Sequence, residues 1–289
     1  MAVESTDRRQ FIQTLAVAAV VAPLSRRTFA MPTQSSPNPE PRRASPGPRG
    51  SSPEPQGANP EPRIPSPGLR ALVFDAYGTL FDVYSVTALC DELFPGSGPA
   101  LAALWRTKQL QYSLLRSMMN RYKDFWQLTQ DGLVYAAESL KLDLTPGKRA
   151  RLMDAYLILS AFPDVEPSLR RLKAQGLKLA ILSNGEPKML QAASAHAGIA
   201  GLLDAVISVD EIKVFKPSPR VYALAASRLG LSARAIGFVS SNNWDVHGAG
   251  SAGLATFWIQ RAAAEPAEQL DYPASRIVHS LADLPALVG

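Results

Sequence analysis

Leu72-Val73-Phe74-Asp75-Ala76-Tyr77-Gly78-Thr79-Leu80-Phe81-Asp82-Val83 is the stretch around which everything after about residue 68 is arranged. An apolar run ends in a carboxylate and then turns through Gly-Thr, the pattern of a buried strand that delivers Asp75 to a loop. In an open parallel α/β sheet ligands bind at the carboxyl ends of the strands, so a carboxylate at that point is well placed for chemistry. Asp and Gly are also ordinary turn residues. Taken alone, the stretch leaves turn and site open.

Outward from it, toward the N-terminus, the chain changes character twice. Arg8-Arg9-Gln10-Phe11, an apolar segment from Ile12 to Leu24 and the small-residue end Thr28-Phe29-Ala30 form a secretory signal too short for a permanent membrane span. The arginine pair resembles a twin-arginine signal, which export machinery reads on folded proteins. Residues 1–30 are therefore expected to be removed near Ala30, giving a periplasmic or secreted protein. Residues 31–68 hold 12 of the 24 prolines and almost no large apolar side chain. Such a segment cannot bury enough surface to offset its conformational entropy and reads as a disordered linker.

About 220 residues remain, enough for a full core and a second subdomain. The whole chain has 30 basic and 25 acidic residues; without residues 1–30 the balance is 26 to 23. That is too even to imply a nucleic-acid partner. Cys90 is the one cysteine, so no internal disulfide can form, and His196, His247 and His279 are scattered without zinc spacing.

Between Val86 and Phe162 the pattern is helical: Leu89 to Phe94, Leu101 to Met119, Tyr122 to Leu140, and Pro146 to Leu159. The expected organisation is a helical cap over 86–162, inserted into an α/β core of 69–85 and 163–289. The core resumes with a helix through Leu169 and Leu172. Strand Lys178–Leu182 ends in Ser183-Asn184-Gly185, and strand Ala205–Ser208 precedes Phe215-Lys216-Pro217. A helix from Val221 to Leu229 leads to strand Ala235–Val239 and the turn Ser240-Ser241-Asn242-Asn243-Trp244-Asp245. Strand Leu254–Ile259, a short edge strand Arg276–Val278 and a last helix from Leu281 complete it.

Asp75-Ala76-Tyr77-Gly78-Thr79-Leu80 resembles the first motif of the haloacid dehalogenase superfamily, whose members use this Asp as a nucleophile. Ser183, Lys216-Pro217 and the turn ending in Asp245 resemble the later motifs, in the same order. Phosphatases of the superfamily carry a second Asp where this chain has Tyr77, and further carboxylates for Mg²⁺ where it keeps only Asp245. With Trp105-Arg106-Thr107-Lys108-Gln109-Leu110-Gln111-Tyr112 in the cap, the chain looks like the L-2-haloacid dehalogenase (type II) branch. The resemblance implies a Rossmann-like parallel sheet with an inserted cap, and it implies no cofactor.

It also implies hydrolysis of short (S)-2-haloacids to (R)-2-hydroxy acids through an ester on Asp75. Lys216, Asn242 and Asp245 would activate water, with Ser240 and Thr79 in the same catalytic set. Ser183 and backbone N–H groups near Tyr77 would hold the substrate carboxylate. Arg106 and Asn184 would receive the halide, while Tyr77, Leu110, Phe125 and Trp244 form an apolar wall, with Tyr222 beside the substrate. Thr107 departs from the Gln more often found there. A homodimer is left open. Two alternatives stand beside this reading: a Mg²⁺-dependent phosphatase of the same superfamily, and an inactive exported binding protein.

Overall fold

The computed structural model describes residues 68–261 and 265–288. The expected signal segment lies outside these residues, as does the Pro-rich linker up to residue 67. Six strands form one sheet: β1 (Ala71–Phe74), β2 (Lys178–Ser183), β3 (Ala205–Ser208), β4 (Ile236–Ser240), β5 (Ala255–Ile259) and β6 (Arg276–Val278). Their spatial order is β3-β2-β1-β4-β5-β6, and every neighbouring pair is parallel. β1 is therefore central, with successive strands leaving it in opposite directions. That makes the carboxyl end of β1 a topological switch point, where an open α/β sheet leaves a crevice.

Parallel strands covered on both faces read as continuous apolar runs. β1, Ala-Leu-Val-Phe, is buried at all four positions, and so is all of β4. Helices α5 (Val165–Ala174), α6 (Pro187–His196), α7 (Pro219–Leu229), α8 (Asn243–Ser251) and α9 (Leu284–Val288) connect and flank the strands. α5 places Val165, Leu169 and Leu172 on its buried face, the i, i+4, i+7 spacing of a helix laid on a core.

The expected cap block contains α1 (Thr87–Leu93), α2 (Gly98–Met118), α3 (Phe125–Ser139) and α4 (Pro146–Leu157), and no strand. Its helix boundaries differ from the sequence reading for local reasons. α2 begins at Gly98 rather than Leu101 because Asp91 Oδ1 accepts the N–H groups of Gly96 and Gly98, at 3.0 and 3.1 Å. α3 begins at Phe125 rather than Tyr122, since Asp124 is its N-cap and accepts the Gln127 N–H at 2.8 Å. α4 stops at Leu157 rather than Leu159. Farther on, β4 is shifted by one residue because Ala235 sits in a 3₁₀ turn, and the expected last helix opens as a 3₁₀ turn over Leu281–Asp283.

Outside the site itself, bonds at two corners join this helical block to the α/β core. At its base the outgoing and returning chains pair: Asp82 N–H donates to Ser160 O (2.8 Å) and Phe162 N–H to Leu80 O (3.1 Å). At the far corner Tyr122 stacks on Phe215 with ring centroids 4.9 Å apart and donates to Asp210 Oδ1 at 2.8 Å. Phe215 N–H donates to Ser117 Oγ at 2.9 Å. Phe215 precedes Lys216, so this corner joins the helical block to the segment that carries a candidate catalytic residue.

Candidate active site

Three strand ends converge on one point. Asp75 follows β1, Ser183 ends β2 and Ser240 ends β4; Lys216 arrives on the segment between β3 and α7. The chain can turn after Asp75 because Gly78 takes φ 96°, where a side chain would be strained.

Asp75 is only 6% exposed, and its carboxylate meets donors on both oxygens. Lys216 Nζ donates to Oδ1 at 3.0 Å, and Asn242 Nδ2 to Oδ2 at 3.0 Å. Thr79 Oγ1 lies 3.2 Å from Oδ2 and accepts the Ser241 N–H at 2.9 Å, tying the loop after β1 to the loop after β4. Such charge-assisted bonds fix the carboxylate's direction as well as balancing its charge.

Lys216 also donates to Asp245 Oδ2 at 2.9 Å, so one ammonium group is shared between two carboxylates. Burial opposes its charge, but Asp245 and Asp75 outweigh that and hold the ammonium pKa above its usual value. Asp245, fully buried in the first turn of α8, has its pKa raised by burial; Lys216 opposes this and the Asp75 charge adds to it. Tyr222 donates to Asp245 Oδ1 at 2.7 Å. Burial, with the adjacent Asp245 charge, keeps the Tyr222 phenol neutral far above neutral pH.

A narrow cavity opens in front of Asp75. Lys216, Asn242, Ser183 and Asn184 line its sheet side, and Arg106, Leu110, Phe125, Tyr77 and Trp244 complete the wall. Arg106 reaches from α2, with Nη2 donating to Tyr77 O at 3.0 Å and Nη1 to Gln109 Oε1 at 2.7 Å. Asn184 Oδ1 accepts the Lys216 backbone N–H at 3.0 Å, which turns its NH₂ group away from that bond. Ser183 Oγ accepts from Gly185 N–H at 3.1 Å and keeps its own proton to give. Gly185 itself admits no side chain, because a Cβ there would stand 2.8 Å from the Tyr77 ring. Tyr77 OH is buried without a hydrogen-bond partner among the described residues.

Most residues singled out in the sequence thus meet at this cavity. Four sit behind its wall: Thr79 holds Asp75, fully buried Asp245 meets Lys216, Ser240 Oγ accepts the Asn242 N–H at 3.1 Å, and Tyr222, expected beside the substrate, bonds Asp245 instead. Thr107 is exposed and donates to Ala103 O. Sequence reading passed over Gln109 and Ser241. Gln109 stands three residues after Arg106, a spacing that puts two side chains on one helix face; that was the available signal. Nothing local in the sequence distinguishes Ser241.

Taken together, the site can present a carboxylate oxygen nucleophile to a small ligand in a narrow pocket. It faces that nucleophile with a guanidinium and an amide able to accept a leaving anion. It also holds a second carboxylate, joined to the first through an ammonium.

A family model for haloacid dehalogenase-like hydrolases matches residues 69–253. The (S)-2-haloacid dehalogenase of Pseudomonas sp. (strain YL) is 53% identical over 193 residues, covering 67% of this chain and 83% of that protein. (S)-2-haloacid dehalogenase 4A of Burkholderia cepacia is 45% identical over 216 residues, 75% of this chain and 93% of its own. Among solved structures, an L-2-haloacid dehalogenase from Xanthobacter autotrophicus with chloropropionic acid covalently bound superposes with a TM-score of 0.72. It is 40% identical, over 76% of this chain and 98% of that one.

Proposed function

The chain belongs to the haloacid dehalogenase-like hydrolase family, and from that premise we propose that it hydrolyses short (S)-2-haloacids to (R)-2-hydroxy acids through an ester on Asp75. It is a hydrolase of carbon–halide bonds: the matching family is one of hydrolases, and the relatives are named (S)-2-haloacid dehalogenases. An Asp75 oxygen attacks C2 of the substrate from the side opposite the halogen, and the C–halogen bond breaks as the C–O bond forms. The configuration at C2 inverts. The halide leaves toward Arg106 and Asn184, while Ser183 and the backbone N–H groups beside Tyr77 hold the substrate carboxylate. Water then attacks the Asp75 carbonyl carbon, with Asp245 taking the proton and Lys216 and Asn242 steadying the charge on the ester oxygens. The hydroxy acid departs and Asp75 is regenerated with one oxygen from water.

What the pocket contributes is alignment of oxygen, carbon and leaving group, and donors placed where halide charge develops. The observation that carries the reading is the position of Tyr77. Its buried ring lines the cavity with Asp75, at the place where, by the resemblance, phosphatases of this family carry the second Asp that protonates the leaving group; Lys216, bonded to Asp75 and Asp245, fits either class. Turnover of (S)-2-chloropropionate, followed by chloride release, is therefore expected to be unchanged by EDTA. Metal-dependent hydrolysis of p-nitrophenyl phosphate without chloride release would replace this reading with the phosphatase one.

Export is part of the same proposal. Arg8-Arg9 and the apolar run after them support a twin-arginine signal that delivers the folded enzyme to the periplasm. Replacing both arginines with lysine is expected to leave dehalogenase activity in the cytoplasmic fraction. Periplasmic recovery equal to wild type would remove the twin-arginine reading.

A further inference from the structure

Arg106 is held by a side chain that the reaction does not itself require. Gln109 is completely buried on α2, one turn beyond Arg106. Burying a carboxamide is costly unless its donors and acceptor are all bonded, and here each face has a partner. Oε1 accepts from Arg106 Nη1 at 2.7 Å and from the Tyr156 hydroxyl at 3.2 Å. Nε2 donates to Thr129 Oγ1 at 2.7 Å. The Thr129 hydroxyl proton goes to Phe125 O, also at 2.7 Å, so its oxygen acts only as an acceptor toward Gln109. That leaves the amide one orientation, oxygen toward Arg106. The network joins α2, α3 and α4, and the Trp105 indole N–H donates to Thr129 O at 2.7 Å on the same turn of α3.

The guanidinium therefore has two fixed acceptors, the Gln109 amide from one side and Tyr77 O from the loop beside the nucleophile. Both are neutral. A carboxylate at either place would hold Arg106 equally well but would neutralise the charge a departing anion needs. A neutral acceptor fixes direction and leaves the cation's field available to the cavity.

We infer that Gln109 is a positioning residue that aims Arg106 at the departing halide and so sets how the enzyme ranks leaving groups; this rests on the reading of Arg106 as the halide acceptor. Chloride, the smaller anion, draws more from a well-aimed donor than bromide does, so misaiming Arg106 should penalise the chloro substrate more. A purely structural loss would reduce both alike.

The test compares kcat/KM, which reports steps up to halide loss, for 2-chloro- and 2-bromopropionate. Gln109→Leu is expected to lower the chloro value by roughly tenfold to 100-fold and to raise the bromo/chloro ratio severalfold. Thr129→Val, which frees the amide to turn without touching Arg106, is expected to move the ratio the same way by less, and it decides the matter should the leucine variant not fold. Arg106→Ala provides the reference. A raised ratio in Arg106→Ala with wild-type ratios in the other two variants would overturn the role of Gln109. An unchanged ratio in Arg106→Ala would overturn the halide reading of Arg106, and the inference with it.

Discussion

Asp75→Asn is expected to lower kcat for (S)-2-chloropropionate by about 10⁴-fold or more, the order seen when a catalytic nucleophile is removed. An amide is a poor nucleophile, and this substitution also deprives Lys216 and Asn242 of the anion they are built to meet. Loss of rate alone does not distinguish a nucleophile from a base, because water attacking the substrate directly would give the same product. The oxygen atom does. In a single turnover in ¹⁸O-water with enzyme in excess, the hydroxy acid should be mostly unlabelled and the label should appear in the peptide containing Asp75. Label in the first-turnover product, with none in that peptide, would make Asp75 a base.

The parts of this site that were legible in the sequence are those fixed by local rules. A strand that must be buried on both faces writes itself as Ala71-Leu72-Val73-Phe74, and the residue that follows is placed at the sheet's carboxyl edge whatever else the chain does. The same rule located Ser183 and Ser240. The start of α2 was misplaced because a side chain seven residues away, Asp91, accepts its first N–H; that of α3 depends on the adjacent Asp124.

What remained hidden depends on how separate elements pack. Tyr222 and Asp245 are 23 positions apart on α7 and α8, and nothing local to either shows that the phenol will meet the carboxylate rather than the cavity. Arg261 is a second case. It follows β5, pairs with Asp164 through both carboxylate oxygens at 2.8 and 2.7 Å, and donates to Thr79 O at 2.7 Å. It thereby joins the start of α5 to the loop that steadies Asp75, a contact spanning most of the core's sequence. Periodicity cannot reveal such a pair, because it speaks of which face is buried and not of which partner is met.

Asp245→Asn is expected to separate the two halves of the reaction. Attack by Asp75 on the substrate needs no base, and Lys216 and Asn242 still orient its carboxylate in this variant. Breakdown of the ester does need a group to take the proton from water, and an amide cannot. Loss of a positioned base costs about 10²–10⁴-fold, so steady turnover should fall by that order while the first halide is still released. The signature is a burst of chloride equal to the enzyme present, and a 1-carboxyethyl ester carried on the peptide containing Asp75. In the wild-type enzyme the same group should govern the acid limb of kcat. Burial raises the Asp245 pKa, Lys216 partly offsets this and the Asp75 charge adds to it, so the base becomes protonated at a higher pH than an ordinary aspartate. Activity should therefore be full above that raised pKa and be lost as pH falls through it, with the limb displaced upward from the usual carboxylate range. A variant that loses turnover without burst or adduct would place Asp245 in the alkylation step, and water activation would have to be assigned elsewhere.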